Sequence, residues 1–219
     1  DLEVSNVIYN YIELKKRLSS EGVNFSTSSD TEVVLKAYEK WGVNFLNELN
    51  GMYAFAIYDM NISKIILSRD KMGEKPLYYL ISKNDNDLFF ASEYNALKYI
   101  TDLIPGEYSN FNYDSAAWYF GHKAMPSDKT ISENIYKLSP GSFLIYDLKN
   151  KKNQIKKYYS VKSKTKFDSK IEDLVIEFKD LLFDSIEIRM RSDVEVATYL
   201  SGGLDSSLIT AIASNFTSK

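Results

Sequence analysis

The 219 residues are 44% apolar and 26% charged, the composition of a globular chain with room for one large domain, or for one domain and part of another. Cys is absent and His occurs once, which excludes disulfides and thiolate metal sites and leaves little for a histidine metal centre or a Ser-His-Asp relay. The net charge of −3 gives no reason to expect nucleic acid, and no apolar run or leader pattern points to a membrane or to export, so the default compartment is the cytoplasm.

In chain order, Ile8, Tyr11, Ile12, Lys15 and Leu18 recur at helical spacing, and Gly22 follows as a stop. Ser29-Asp30-Thr31-Glu32 fits a capping box, with Ser29 as N-cap and Glu32 reaching back, before a helix bearing Val33, Val34, Ala37, Tyr38 and Trp41. A shorter element holds Phe45, Leu46 and Leu49. From Gly51 the period becomes that of strands. Residues 52–59 alternate aromatics with small side chains, and 64–69 read as the hairpin partner. Residues 76–80 and 88–91 form a second hairpin, after which Ser92 caps a short helix with Ala96, Leu97 and Ile100. Strands in series flanked by helices predict α+β with an antiparallel sheet.

Residues 136–141 read as a turn into a strand at 143–146, and 147–170, with nine lysines, as an exposed linker. Ile171, Leu174, Val175, Phe178, Leu181, Leu182 and Ile186 then mark an amphipathic helix, expected to pack on a sheet beginning at Val194. The single His122, between Gly121 and a loop with Pro126, is assigned no role.

The end of the chain reads as an apolar strand from Val194 to Leu200, a small-residue loop at Ser201–Ser207 and a helix. Glycines at 202 and 203 let backbone approach a ligand, Ser201, Ser206 and Ser207 offer hydroxyls, and the helix start offers unpaired N–H groups to an anion. The Gly-Lys-Ser/Thr ending of a Walker A loop is missing. A strand, loop and helix with no further strands have no parallel sheet to join, so the sequence predicts a fragment cut at both ends.

Ser-Gly-Gly-Leu-Asp-Ser-Ser at 201–207 resembles the pyrophosphate loop of the PP-loop ATP pyrophosphatases. Upstream, Tyr9-Asn10-Tyr11, Ser29-Asp30-Thr31-Glu32-Val33 and the run from Leu49 to Ala56 resemble class II glutamine amidotransferase domains. The runs Arg69–Tyr79, Phe90–Glu93 and Tyr136–Gly141 match the version found in glutamine-hydrolysing asparagine synthetases. The resemblance implies an incomplete α+β N-terminal-nucleophile-type amidotransferase sandwich, followed by the start of an α/β PP-loop domain. Its boundaries would be residues 1–160 and 161–219.

The activity so implied is ATP-dependent synthesis of asparagine from aspartate, with glutamine as ammonia donor and aspartyl-adenylate as intermediate. By resemblance Leu200, Ser201, Gly202, Gly203, Asp205, Ser206 and Ser207 would bind ATP and its pyrophosphate, Leu200 through its backbone. Asp205 would coordinate Mg2+, and Asp30 would bind the α-amino group of glutamine. The small-molecule partners would be aspartate, glutamine and ATP, with no nucleic acid or membrane, and a homodimer is the candidate assembly. The family's nucleophile is an N-terminal Cys, and this chain has none, so no catalytic residue is assigned. The family's Asn-Gly-Glu ahead of Ile-Tyr-Asn-Tyr reads Ser5-Asn6-Val7 here; Val7 cannot hold an amino group, and Ser5 is a shorter donor than Asn. Two alternatives stay open: an amide-forming ligase of this family acting on another carboxylate without a glutaminase, and a non-catalytic scaffold derived from it.

Overall fold

The computed structural model describes residues 2–107, 109–162, 170–192 and 195–217, with Leu2–Asn6 described by backbone alone. The chain forms two compact units, residues 1–161 and 162–219.

The first unit is built on two antiparallel sheets. One orders its strands β1-β2-β3-β7-β8, where β1 is Leu2–Ile8, β2 Gly51–Asp59, β3 Lys64–Arg69, β7 Ser142–Asp147 and β8 Lys152–Lys157. The other is β5-β4-β6, from Leu88–Ala91, Tyr78–Ile81 and Tyr136–Lys137. The helices are α1 Tyr11–Ser20, α2 Asp30–Trp41, α3 Tyr94–Leu103 and α4 Tyr113–His122.

The alternation in β2 decides the layering. Tyr53, Phe55 and Ile57 face one way, packing with Leu14 and Leu18 of α1, Val33, Val34 and Ala37 of α2, and Phe45 and Leu46 of the short 3-10 turn Gly42–Asn47. Ala54 and Ala56 face the other way, towards Leu67, Leu77, Tyr79, Leu138, Leu144 and Tyr146, so the two sheets meet over small residues on one side and large ones on the other. The outer face of the smaller sheet is closed by α3, where Leu80 packs with Leu97 and Ile135. The result is four layers, helix, sheet, sheet, helix, with both faces of β2 covered. Burying each large side chain contributes about 1.5–3 kcal/mol, which is why the central strand carries only aromatic, aliphatic and alanine side chains from Tyr53 to Ile57.

The antiparallel α+β expectation and both hairpins hold, with Asp59 opposite Lys64 and Ile81 opposite Leu88. Several expectations fail. Residues up to Ile8 form β1 rather than the start of a helix, because pairing with β2 from Leu2↔Ile57 to Ile8↔Gly51 outweighs the local period. Glu93, not Ser92, caps α3, and its side chain makes no cap bond. The lysine-rich stretch expected to be a linker contains β8, which pairs with β7 along its full length. All six β8 residues are exposed; three of them are lysines, as suits the open edge of a sheet.

The joint between the sheets is a buried polar turn. Asp70, fully buried, accepts N–H bonds from Met72 and Glu74 on Oδ1 at 3.0 and 2.9 Å and from Lys75 on Oδ2 at 2.9 Å. Arg69, 3% exposed, donates Nε to the Lys75 carbonyl at 2.7 Å and its two terminal nitrogens to those of Leu138 and Gly73 at 2.8 and 2.5 Å. Gly73 has φ +72°, and a Cβ there would lie 2.9 Å from the guanidinium. Burial pulls the Arg69 guanidinium below its ordinary pKa, and the Asp70 charge beside it opposes the shift. Tyr158 donates to the Arg69 carbonyl at 2.8 Å and accepts from the Tyr53 hydroxyl at 2.7 Å.

The second unit holds α5, Ile171–Arg189, and α6, Leu204–Ala213. They pack through Leu182, Phe183, Ile186 and Met190 against Ile212 and Ala213. The strand expected from Val194 is not found: Val194 lies outside the described residues, and Glu195–Leu200 has no regular structure, with Tyr199 wholly exposed. No strand is present among the described residues of this unit, so the apolar run has no ladder to join and α5 no sheet to cover; Val175, Phe178 and Leu181 are exposed.

Two outcomes are expected. Asp70→Ala strands three N–H groups and leaves the Arg69 charge without its neighbour; it should lower unfolding stability by about 3–5 kcal/mol, read from urea unfolding. Burial raises the phenol pKa of Tyr53 and Tyr158, and burial with Tyr136 and Asp128 nearby pushes Tyr79 up to about 12. These phenols are protonated in both states below the free value of about 10, so stability is level there. Above it the unfolded chain loses protons that the folded chain keeps, and stability falls as pH rises towards the folded values. Alkaline unfolding should coincide with phenolate absorbance, and Tyr53→Phe should make the decline shallower.

Candidate functional site

Two places gather the residues singled out above. The first lies where β1 ends and α2 begins. Ser29 caps α2, its Oγ accepting the Thr31 N–H at 3.1 Å. Glu32 does not close the box onto Ser29; it accepts the N–H groups of Ser26 and Thr27 at 2.8 and 2.6 Å, together with the Thr27 hydroxyl. The Thr27 hydroxyl first, then the Ser26 N–H, hold the Glu32 carboxyl below the usual carboxylate range. Asp30, first residue of the helix and half-buried, accepts the Ile8 N–H on Oδ2 at 3.1 Å.

The neighbouring backbone is tied as well. Tyr9 donates its N–H to the Asn50 carbonyl at 2.9 Å, and the Asn10 side chain accepts from the Asn50 N–H and donates to the Glu48 carbonyl, each at 2.9 Å. The three segments around Tyr9, Asp30 and Asn50 thus converge, although 22 residues separate Ile8 from Asp30 and 40 separate Asn10 from Asn50. Asp30 serves the fold here as a link between strand and helix, and Asn10, which the sequence offers within the Tyr9-Asn10-Tyr11 run without assigning it a role, ties the strand end to Asn50. Ser5 and Asn6 lie on β1 opposite Ala54 and Tyr53, with side chains outside the described residues, and Val7 offers only an apolar, 39% exposed side chain.

The second place is the turn into α6. Gly203 is the N-cap, and the first helical bond runs from the Ser207 N–H to the Gly203 carbonyl at 3.1 Å. The N–H groups of Leu204, Asp205 and Ser206 therefore precede the helical ladder. Ser201 Oγ lies 2.9 Å from Ser206 Oγ and accepts the Gly203 N–H at 3.4 Å, drawing both ends of the loop together. Gly202 takes φ +84°, and open space surrounds the place of its Cβ. Leu200 and the loop residues are exposed apart from the half-buried Ser206. The donor set fits phosphate oxygens: helix-start N–H groups, three hydroxyls and a glycine backbone free to be approached. For a cation, Asp205 is the single carboxylate of the loop, and no group of three or more His, Asp or Glu side chains that could hold a metal occurs among the described residues.

Residues 2–159 match the family model of the glutamine amidotransferase domain, and residues 177–219 match that of asparagine synthase. The chain therefore belongs to the glutamine amidotransferase family. It is 41% identical over 96% of its length to the Methanocaldococcus jannaschii protein named "Putative asparagine synthetase (glutamine-hydrolyzing) 2", of which it covers 39%. Asparagine synthetases (glutamine-hydrolyzing) 1 and 2 of Bacillus subtilis are 35% and 34% identical over 95% and 96% of it, with 32% and 28% of their own lengths covered. The chain spans about a third of the length of these curated relatives. A solved glutamine phosphoribosylpyrophosphate amidotransferase from B. subtilis superposes with a TM-score of 0.47 at 20% identity, over 98% of this chain and 44% of that one, a likeness too distant to add to the argument.

Asp30→Ala should release the Ile8 amide. Its hydrogen exchange should quicken well beyond that of the other β1 amides, with a stability loss of about 1.5–3 kcal/mol for a bond to a charged acceptor.

Proposed function

We propose that the protein carrying this chain makes asparagine from aspartate and ATP with glutamine as nitrogen donor. Residues 1–160 would form part of its type 2 glutamine amidotransferase domain and 161–219 the start of its PP-loop synthetase domain. What carries the reading is the succession in one chain of an amidotransferase match and an asparagine synthase match that contains the Ser201–Ser207 turn. The N–H groups of Leu204, Asp205 and Ser206 and the hydroxyls of Ser201, Ser206 and Ser207 hold the phosphates, Leu200 meets the nucleotide through its backbone, and Gly202 and Gly203 admit it. Charge builds on the departing pyrophosphate as the aspartate carboxylate attacks, and fixed donors at a helix start favour that state over the ground state. Magnesium, when bound, neutralises phosphate charge; Asp205 would supply one oxygen, as is usual where phosphates complete the shell. Asp30 would offer the α-amino group of glutamine its Oδ1, which also accepts the Thr31 hydroxyl at 3.5 Å. The reaction is assigned to the cytoplasm and to a homodimer; among the described residues no helix is long and apolar enough to cross a membrane.

The test is aspartate-dependent exchange of pyrophosphate into ATP by the protein that contains this chain. Exchange should occur with aspartate, and Gly203→Val should abolish it by blocking backbone approach; normal exchange in that variant would remove the loop from the site. Val7 supports a second reading, in which the same adenylation serves another carboxylate and free ammonia or an amine replaces glutamine. Exchange driven by another carboxylate but not by aspartate would select it.

A further inference from the structure

The second half of α4 is apolar around its whole circumference and exposed around it. No charged residue stands between Ser115 and Gly121, and Ala117, Trp118, Tyr119, Phe120 and Gly121 are all exposed; only Ser115 and Ala116 of this helix are buried. A helix apolar on every side ordinarily lies inside a protein. This one is firmly held in place. At its start the Asn112 side chain accepts the Ser115 N–H at 2.9 Å, and at its end Lys123, in the left-handed region at φ 55°, donates its N–H to the Tyr119 carbonyl at 2.7 Å. Phe111 meets Tyr113 edge to face at 4.9 Å, and Trp118 stacks on His122 at 4.0 Å.

The area of this surface is large for a free one. Phe111, Trp118 and Tyr119 are about half exposed, and Tyr113 and Phe120 are 78% and 84% exposed. At about 150–250 Å² for each side chain, the five leave roughly 450–750 Å² of aromatic surface in water. The largest patch on a typical monomer is about 300–600 Å², whereas two patches of this size face to face reach the roughly 1,200 Å² at which specific interfaces begin. The patch also fits itself. Tyr113, Ala117 and Phe120 share one face at about 3.6 residues per turn, so a bulky ring and a methyl group lie one turn apart. Asp114 stands in the first turn and Lys123 closes the helix, and neither takes part in an ion pair among the described residues. A second copy turned antiparallel brings Phe120 over the partner's Ala117 and Asp114 towards the partner's Lys123, each twice, and opposes the two helix dipoles. A parallel copy would set acid against acid.

We propose that α4 is the contact between two copies of this chain, packed antiparallel about a twofold axis that passes beside Trp118 and Tyr119. The inference rests on the homodimer assigned above and names the surface that forms it. It uses no residue of the Ser201–Ser207 loop or of the Asp30 neighbourhood, so it stands apart from the ligase activity. Rings already fixed by their neighbours lose little freedom on docking, and an interface at the low end of the size range holds with a dissociation constant on the order of 10 μM.

The test is sedimentation equilibrium of the protein that contains this chain. The wild type should be dimeric at about 100 μM, and Phe120→Glu should weaken the dimer by roughly 100-fold, because the twofold carries the change twice. Asp114→Lys and Lys123→Asp should each weaken self-association by about tenfold. An equimolar mixture of these two variants should recover wild-type association as a heterodimer, since the mixed pair has one acid and one base at each contact. A monomeric wild type would leave the face to the remainder of the protein or to a lipid surface and overturn the proposal. A dimer unmoved by Phe120→Glu, or a mixture no tighter than its components, would overturn it as well. Pyrophosphate exchange by the same wild type reads the ligase activity separately: a dimer without exchange sinks that reading alone, and a monomer with exchange sinks this one alone.

Discussion

The first unit depends on a buried turn whose two charges are satisfied by backbone. Asp70 gathers three N–H groups from the five residues after it, and Arg69 spreads its fork over three carbonyls, one of them 69 residues away at Leu138. The turn thereby joins the end of β3 to the entry of β4 and to the approach to β7, where Gly141 also donates to the Asp70 carbonyl at 2.8 Å. An apolar joint would leave six backbone groups unpaired in a dry interior. The Tyr53–Tyr158 pair extends the same network to β2 and to the segment after β8.

With that joint in place, one strand can serve two cores. β2 presents aromatics to α1 and α2 and alanines to the second sheet, and the small residues let the sheets close on Leu67, Leu144 and Tyr79. A register shift of one residue in β2 would turn Tyr53 and Phe55 into the narrow space between the sheets. Pairing with both β1 and β3 prevents it.

The two candidate sites differ in how they are made. The Ser201–Ser207 turn is local: a left-handed glycine, a hydroxyl pair five residues apart and the first turn of one helix supply every donor. The Asp30 neighbourhood is assembled from three distant segments and is bound up with folding, since the carboxylate ties β1 to α2. Local construction explains why the loop is recognisable from seven residues. Tertiary construction explains why Asp30 cannot be told from a helix-start residue in the sequence.

The sequence by itself determined the elements whose signals are short-range: the α2 cap at Ser29, the hairpins around β2–β3 and β4–β5, the apolar faces of the helices, and the glycine-serine turn into α6. Tertiary structure decided what depends on partners. Leu2–Ile8 became a strand because β2 offered a ladder, and Lys152–Lys157 did so beside β7 despite a linker's composition. Among the described residues of its unit the apolar run before Ser201 meets no strand, and Glu195–Leu200 forms none. The physical reason is the same in each case. A helix or a turn satisfies its backbone within itself, whereas a strand exists only where another chain segment completes its hydrogen bonds.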